Sequence, residues 1–202
     1  MHNAKTRFEV RINEIKALGE VYEYLENQVA GGVDYTDILR SMVVYSISAY
    51  DALLHDLIRI GMVQAYLGQR SRTAKYAAEG LSLSEHRNLA TTQIPPPESL
   101  FEEIIRRKHK YLSFQDPDKV CDGLSLIWDE KQKWQKIADR LGAEASSLKI
   151  QQKLFVGRRN AIVHEYDHDP LSNNRQAIDR TLADEIVNFF LLGGVAIAEL
   201  VT

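Results

Sequence analysis

A chain of 202 residues with 45% hydrophobic and 26% charged content has the length and balance of one compact domain, spanning residues 1–202, with a full core. Its net charge of −3 lacks the basic excess of a non-specific nucleic-acid binder, so phosphate recognition has to come from local clusters. The single cysteine, Cys121, excludes an internal disulfide framework and fits a reducing, cytoplasmic setting. No apolar run of membrane-spanning length is evident, and the charged segment Met1–Glu14 lacks the apolar stretch of a signal peptide.

Helical spacing dominates the chain. Phe8, Ile12, Ile15, Leu18, Tyr22 and Leu25 recur at threes and fours, which predicts an amphipathic opening helix stopped by Gly31-Gly32. Asp34 or Thr36 is the expected cap of a second long helix, from about Tyr35 to Leu67. Its nearly continuous apolar character around Met42–Leu57 marks a central, covered helix. From Gly80 to Pro97 the pattern breaks, and Pro95-Pro96-Pro97 fits no helix interior, so this segment reads as a long loop. Ser99–Phe114 is helical and basic, and Pro117 suits a first helical turn ahead of Asp118–Ile127. Trp128–Leu141 reads as helix up to Gly142, and Glu144 to about Tyr166 as the next, ended by Pro170 and Asn173-Asn174. Leu182–Leu200 closes the chain as an apolar helix interrupted by Gly193-Gly194, and no strand alternation is convincing. The expected fold is an all-α bundle of about five main helices with a long loop near residues 80–97.

Wound at about 100° per residue, Glu144–Tyr166 places Leu148, Phe155, Ile162 and Tyr166 on a core stripe. Lys153, Asn160 and His164 fall on roughly the opposite side, beside Gly157 and Ala161, whose small side chains let another helix approach closely. Arg159 projects near the core stripe, about 140° around the axis from His164. An arginine there must snorkel or find an interior carboxylate. Asp51, which interrupts the apolar run of the second helix, is the expected partner, and an Arg159–Asp51 ion pair without catalysis is one reading of this pattern.

His164-Glu165-Tyr166-Asp167-His168 also spells the H-E-x-x-H signature of zinc proteases. That motif needs one helix running through both histidines and a third ligand downstream. Pro170 comes two residues after His168 and no third histidine stands at the required spacing, so no metal or other cofactor is expected. His55 reads as a satisfied or surface histidine, Trp128 and Trp134 as core packing, and Gly193-Gly194 as a place of close helix packing or a kink.

Gly-Arg-Arg-Asn-Ala-Ile-Val-His-Glu at 157–165 resembles the Arg-x4-6-His motif of the HEPN superfamily. The segments 50–56 (YDALLHD), 113–120 (SFQDPDKV), 134–142 (WQKIADRLG) and 167–170 resemble its RiboL-PSP branch, so the likeness runs from about residue 40 onward. The resemblance implies a helical-bundle ribonuclease of toxin or antiviral-defence type, acting as a homodimer without metal and sometimes held by an antitoxin protein. It implies catalytic roles for Arg159 and His164, support from Asn160, and an acidic residue near the site at Asp51. Arg158 and Lys153 are expected to contact the RNA, and the basic stretch Arg106–Lys110 is a further candidate.

The chemistry suits those residues. RNA carries its own nucleophile in the 2′-hydroxyl, histidine moves protons near neutral pH, and arginine steadies charge on phosphorus oxygens. Because Arg159 and His164 are offset on one helix, a two-fold pair of chains is expected to bring one copy's arginine to the other's histidine. The alternative expectation is a non-catalytic helical module of the same fold that binds RNA, a nucleotide or a protein partner.

Overall fold

The computed structural model describes residues 1–29, 32–169, 171, 172 and 174–202. Among these residues it is all-helical, with nine helices: α1 (His2–Gln28), α2 (Thr36–Tyr66), α3 (Ala74–Ala77), α4 (Leu83–Thr91), α5 (Pro97–His109), α6 (Pro117–Leu124), α7 (Lys133–Leu141), α8 (Ala145–His164) and α9 (Arg180–Leu200). Five of them, α1, α2, α5, α8 and α9, run for 13 residues or more. The stops expected at Gly31, Pro170 and Asn173 lie outside the described residues. Gly32, just beyond α1, takes φ of 64°, the left-handed conformation that glycine adopts without steric penalty.

The central helix is α2. Leu39, Met42, Val43, Ile47, Leu54, Leu57, Ile58 and Met62 are completely covered, and covering each such side chain contributes about 1.5–3 kcal/mol relative to leaving it in water. No other helix carries an apolar load of that size, so α2 sets the frame to which α1, α5, α8 and α9 are fitted. α9 packs on both α1 and α2. At Gly194 an added Cβ would sit 2.6 Å from the Phe8 ring, so a glycine is what lets α1 and α9 close up. Gly193 faces open space, and helix approach at Gly194 alone explains the pair. By length and mean hydropathy, 1.5 over its most apolar window, α9 is long and apolar enough to cross a membrane. Ala183, Ile186, Val187, Phe190, Ala196 and Ile197 are instead buried in the core.

Three sequence expectations need correction. The segment 80–97 is not a loop throughout, because α4 occupies its middle. Ser82 accepts a hydrogen bond from the Glu85 amide while the Glu85 carboxylate accepts from the Ser82 amide, a reciprocal cap that starts a helix in polar sequence. Arg107 of α5 then holds Glu85 at 2.6 Å. Second, α7 starts at Lys133, not Trp128, since residues 125–132 form the turn out of α6. Trp134 is buried and donates its indole N–H to the Pro117 carbonyl at 3.0 Å. Third, α8 ends at His164, and Tyr166 leaves the expected core stripe to become exposed.

Candidate functional site on the last turns of α8

The end of α8 is fixed by the segment that leaves it. Tyr166 and Asp167 take φ of 53° and 60°, a left-handed conformation unusual in consecutive non-glycine residues. The amides of Glu165 and Asp167 both donate to the Ala161 carbonyl at 2.9 Å, which satisfies the helix end and turns the chain back. An isolated antiparallel bridge between His168 and Arg175, and the Gln176 amide donating to the Asp167 carbonyl, close the returning segment. Arg175 lies over the Tyr166 ring at 4.4 Å from its centroid, and His168 is stacked on that ring as well.

Asp167 is completely buried and takes two arginines. Arg40 of α2 donates to its Oδ2 at 2.7 Å and Arg158 of α8 to the same oxygen at 2.9 Å. Arg40 also reaches the Gln176 carbonyl at 2.8 Å, and Arg158 the Ala177 carbonyl at 3.0 Å and the Gln176 side chain. A carboxylate at zero exposure is tolerable only when paired and hydrogen-bonded in this way. Arg158, expected to contact the substrate, is thus turned inward to brace the end of α8. Sequence reasoning missed Arg40, Asp167 and Gln176. A signal existed in Arg40, a cation at the mouth of the apolar run of α2.

Asp51, the expected partner of Arg159, does not pair with it. Its carboxylate accepts the Phe114 amide at 2.6 Å and the Gln115 side-chain amide at 3.2 Å. Gln115 in turn receives Gln152 of α8 on its carbonyl. Asp51 therefore anchors the loop between α5 and α6 and touches α8 only through that loop, two turns before Arg159. Gln152 is buried and lines a small void with Tyr50, whose phenol burial pushes well above the ordinary tyrosine range. These contacts hold the middle of α8 against α2, while Phe155 packs edge-on against Phe189 of α9.

The outer face of α8 carries the remaining candidates. Lys153, Gly157, Asn160 and His164 are exposed on it. Lys153 lies 3.5 Å from Asp118 of α6 across solvent. A Cβ on Gly157 would meet nothing within 4 Å, so the face is open there. Asn160 and His164 stand one turn apart, the spacing at which helical side chains are neighbours. The half-buried Arg159 starts near the core side, as its helical position requires, but its guanidinium swings back. Nη1 donates to Asn160 Oδ1 at 3.1 Å, while Nε is shielded from solvent without a partner. The guanidinium thus reaches Asn160, which stands one turn before the exposed His164 on the outer face of α8.

H-E-x-x-H does not sit on a helix. His164 is the last helical residue, and the left-handed pair Tyr166-Asp167 separates it from His168. Among the described residues no three histidine, cysteine, aspartate or glutamate side chains cluster as a ligand set. Comparison of the chain with models of protein families, with curated proteins and with solved structures returns no match.

Proposed function

We propose that this protein is a metal-independent endoribonuclease of the HEPN type, a cytoplasmic homodimer of toxin or defence character that cuts RNA through its own 2′-hydroxyl. The observation that carries this reading is the polar patch at the end of α8. Arg159 is hydrogen-bonded to Asn160, and His164, one turn on from Asn160, has no hydrogen-bond partner among the described residues, on the terminal turn of a helix braced by Arg158, Asp167 and Arg40. A cation, an amide and an imidazole held on a rigid, open surface are the groups that phosphodiester cleavage requires.

In the proposed reaction the 2′-oxygen attacks the adjacent phosphorus as an imidazole takes its proton, and the 5′-oxygen leaves with a proton from a second imidazole. The products are a 2′,3′-cyclic phosphate and a 5′-hydroxyl. One chain carries one His164, so the two proton transfers call for two copies. The exposed Ile150 and Leu154 (61% and 67% exposed) lie on one stripe of α8 with Gly157 and Ala161, immediately beside the polar patch. An apolar, small-residue stripe flanking the catalytic face is what a two-fold contact between copies of α8 would cover. Arg159 stabilises charge on the non-bridging oxygens, and Asn160 holds its guanidinium in place.

The deciding experiment incubates the purified protein with total RNA in EDTA, beside His164→Ala and Arg159→Ala. The expected result is cleavage by the unsubstituted protein alone, with cyclic-phosphate ends. Cleavage by none of the three would replace the enzyme with a binding module, and cleavage abolished by EDTA would point to a metal. A protein that is active and strictly monomeric would remove the two-copy site. In a host cell the His164→Ala form is expected to be tolerated better than the unsubstituted chain, whose control would fall to an antitoxin partner.

A further inference from the structure

The basic stretch Arg106–Lys110 is divided between two jobs by the helical winding of α5. Arg107 and Lys108 turn to one side and secure Glu85 of α4 and Glu79. Arg106, His109 and Lys110 turn to the other, into a cavity of about 370 Å³ between α1, α2 and the end of α5. Arg11, His55 and Arg59 complete its polar wall, and Asp56 is the one acid in the lining among the described residues. Arg59 is partly engaged by Asp56 at 2.6 Å and by Glu102, which also holds Arg106 at 3.2 Å. Arg11 and Lys110 face no carboxylate within ion-pair distance among the described residues, Lys110 lying only over the Tyr111 ring at 5.3 Å. Four cations thus meet two carboxylates, in a chain whose net charge is −3.

His109 distinguishes this cavity from an ordinary solvated basic face. It is only 7% exposed, yet neither of its ring nitrogens has a hydrogen-bond partner among the described residues, and it lines the cavity. His55, opposite, is already fixed, 3.2 Å from the Leu112 carbonyl and packed on Phe114. Its ring nitrogens are not shielded from solvent, so they stay open to a hydrogen-bonding group that enters the cavity. Burial also pushes its pKa below the ordinary histidine range, with Lys75, Lys108 and His55 acting in the same direction and Glu79 against them.

Arg11 and Ala52 also border a second, largely apolar groove lined by Ile15, Leu18, Tyr45, Ala49 and one acid, Glu14. A concavity of several hundred cubic ångströms with convergent cations at one end and an exposed tyrosine along its extension has the dimensions of a small-molecule site. It is also separate from the α8 patch. Tyr50, which lines a small void with Leu148 and Gln152 of α8, lies about 180° around α2 from the mean direction of Ala52, His55, Asp56 and Arg59.

We propose that this cavity binds the phosphate group of a nucleotide, either free or as part of an RNA strand, with Arg11, Arg106, Lys110 and His109 as the phosphate ligands and the base directed toward Tyr45. The site stands independently of whether α8 cuts RNA. It is tested by titrating adenosine 5′-monophosphate and inorganic phosphate into the full chain, the Arg11→Gln/Lys110→Gln double variant and Arg159→Ala. Both substituted residues of the double variant are exposed and unpaired among the described residues, so its helix content should be unchanged by circular dichroism. Binding by the unsubstituted protein, weakened roughly tenfold or more in the double variant and retained in Arg159→Ala, is the expected result. No binding to the unsubstituted protein, or equal binding by the double variant, would overturn it, as would loss in Arg159→Ala instead. Competition by a 2′-O-methyl RNA oligonucleotide assigns the source of the phosphate. Displacement of the nucleotide places an RNA strand in the cavity, and simultaneous binding places a free nucleotide there.

Discussion

The two sides of α8 near its end are built on opposite terms. On the inner side, Arg158 meets Asp167, Gln176 and Ala177, and Asp167 is shared with Arg40 of α2. On the outer side, Asn160 and His164 stand in solvent, and the half-buried Arg159 has Asn160 as its one hydrogen-bond partner among the described residues. Adjacent arginines of similar burial therefore differ in partners, a buried carboxylate for Arg158 and a neutral amide for Arg159. The contrast comes from the partners each guanidinium finds: Asp167 and two carbonyls for Arg158, the Asn160 side chain for Arg159. The inner side supplies rigidity, and the outer side leaves Asn160 and His164 free of structural duty.

That contrast makes ordered predictions. The largest effect is expected at the proposed chemistry. His164→Ala should reduce RNA cleavage by about 10²–10⁴-fold with an unchanged thermal midpoint, and a comparable loss of stability would erase the distinction between the two sides. Asp167→Ala comes next, since it leaves two guanidinium groups buried without their counterion. It should lower stability by about 3–5 kcal/mol in urea titration. Asp167→Asn, which tolerates the left-handed backbone, should lower it by less. Arg158→Ala should cost about 2–3 kcal/mol for its lost charge-assisted bonds, whereas Arg159→Ala should change stability little and abolish cleavage. An exchanged outcome for these two neighbours would break the comparison outright. The smallest effect is at Gly157, where the open surface accepts a methyl group. Gly157→Ala should raise the stability of the isolated chain by about 0.5–1 kcal/mol, and Gly157→Trp should leave the fold intact while blocking association of two copies in sedimentation.

How far the sequence discloses this arrangement depends on the range of the interactions involved. The long helices are legible because their apolar residues repeat locally, as Phe8, Ile12 and Ile15 do along α1. α4 is concealed by composition, since Ser, Asn and Thr suggest a loop, although Ser82 and Glu85 already hold the signature of a helix start. The open face with Lys153, Asn160 and His164 is also legible, being a property of one helix. What cannot be read locally is the choice of partner. Asp51 lies on α2 at a position from which either α8 or the loop 113–115 is reachable, and backbone packing decided for the loop. The pairing of Arg40 with Asp167 spans 127 residues and depends on a left-handed turn that periodicity does not encode.

That last pairing has a consequence for synthesis on the ribosome. Arg40 emerges well before its acceptors Asp167 and Gln176, and α9, which packs on α1 and α2, follows them. Until those residues have left the exit tunnel, α8 has no bracing and its terminal turn has no fixed shape. A nascent chain that has not yet exposed Asp167 and Gln176 therefore lacks the bracing of the α8 terminus.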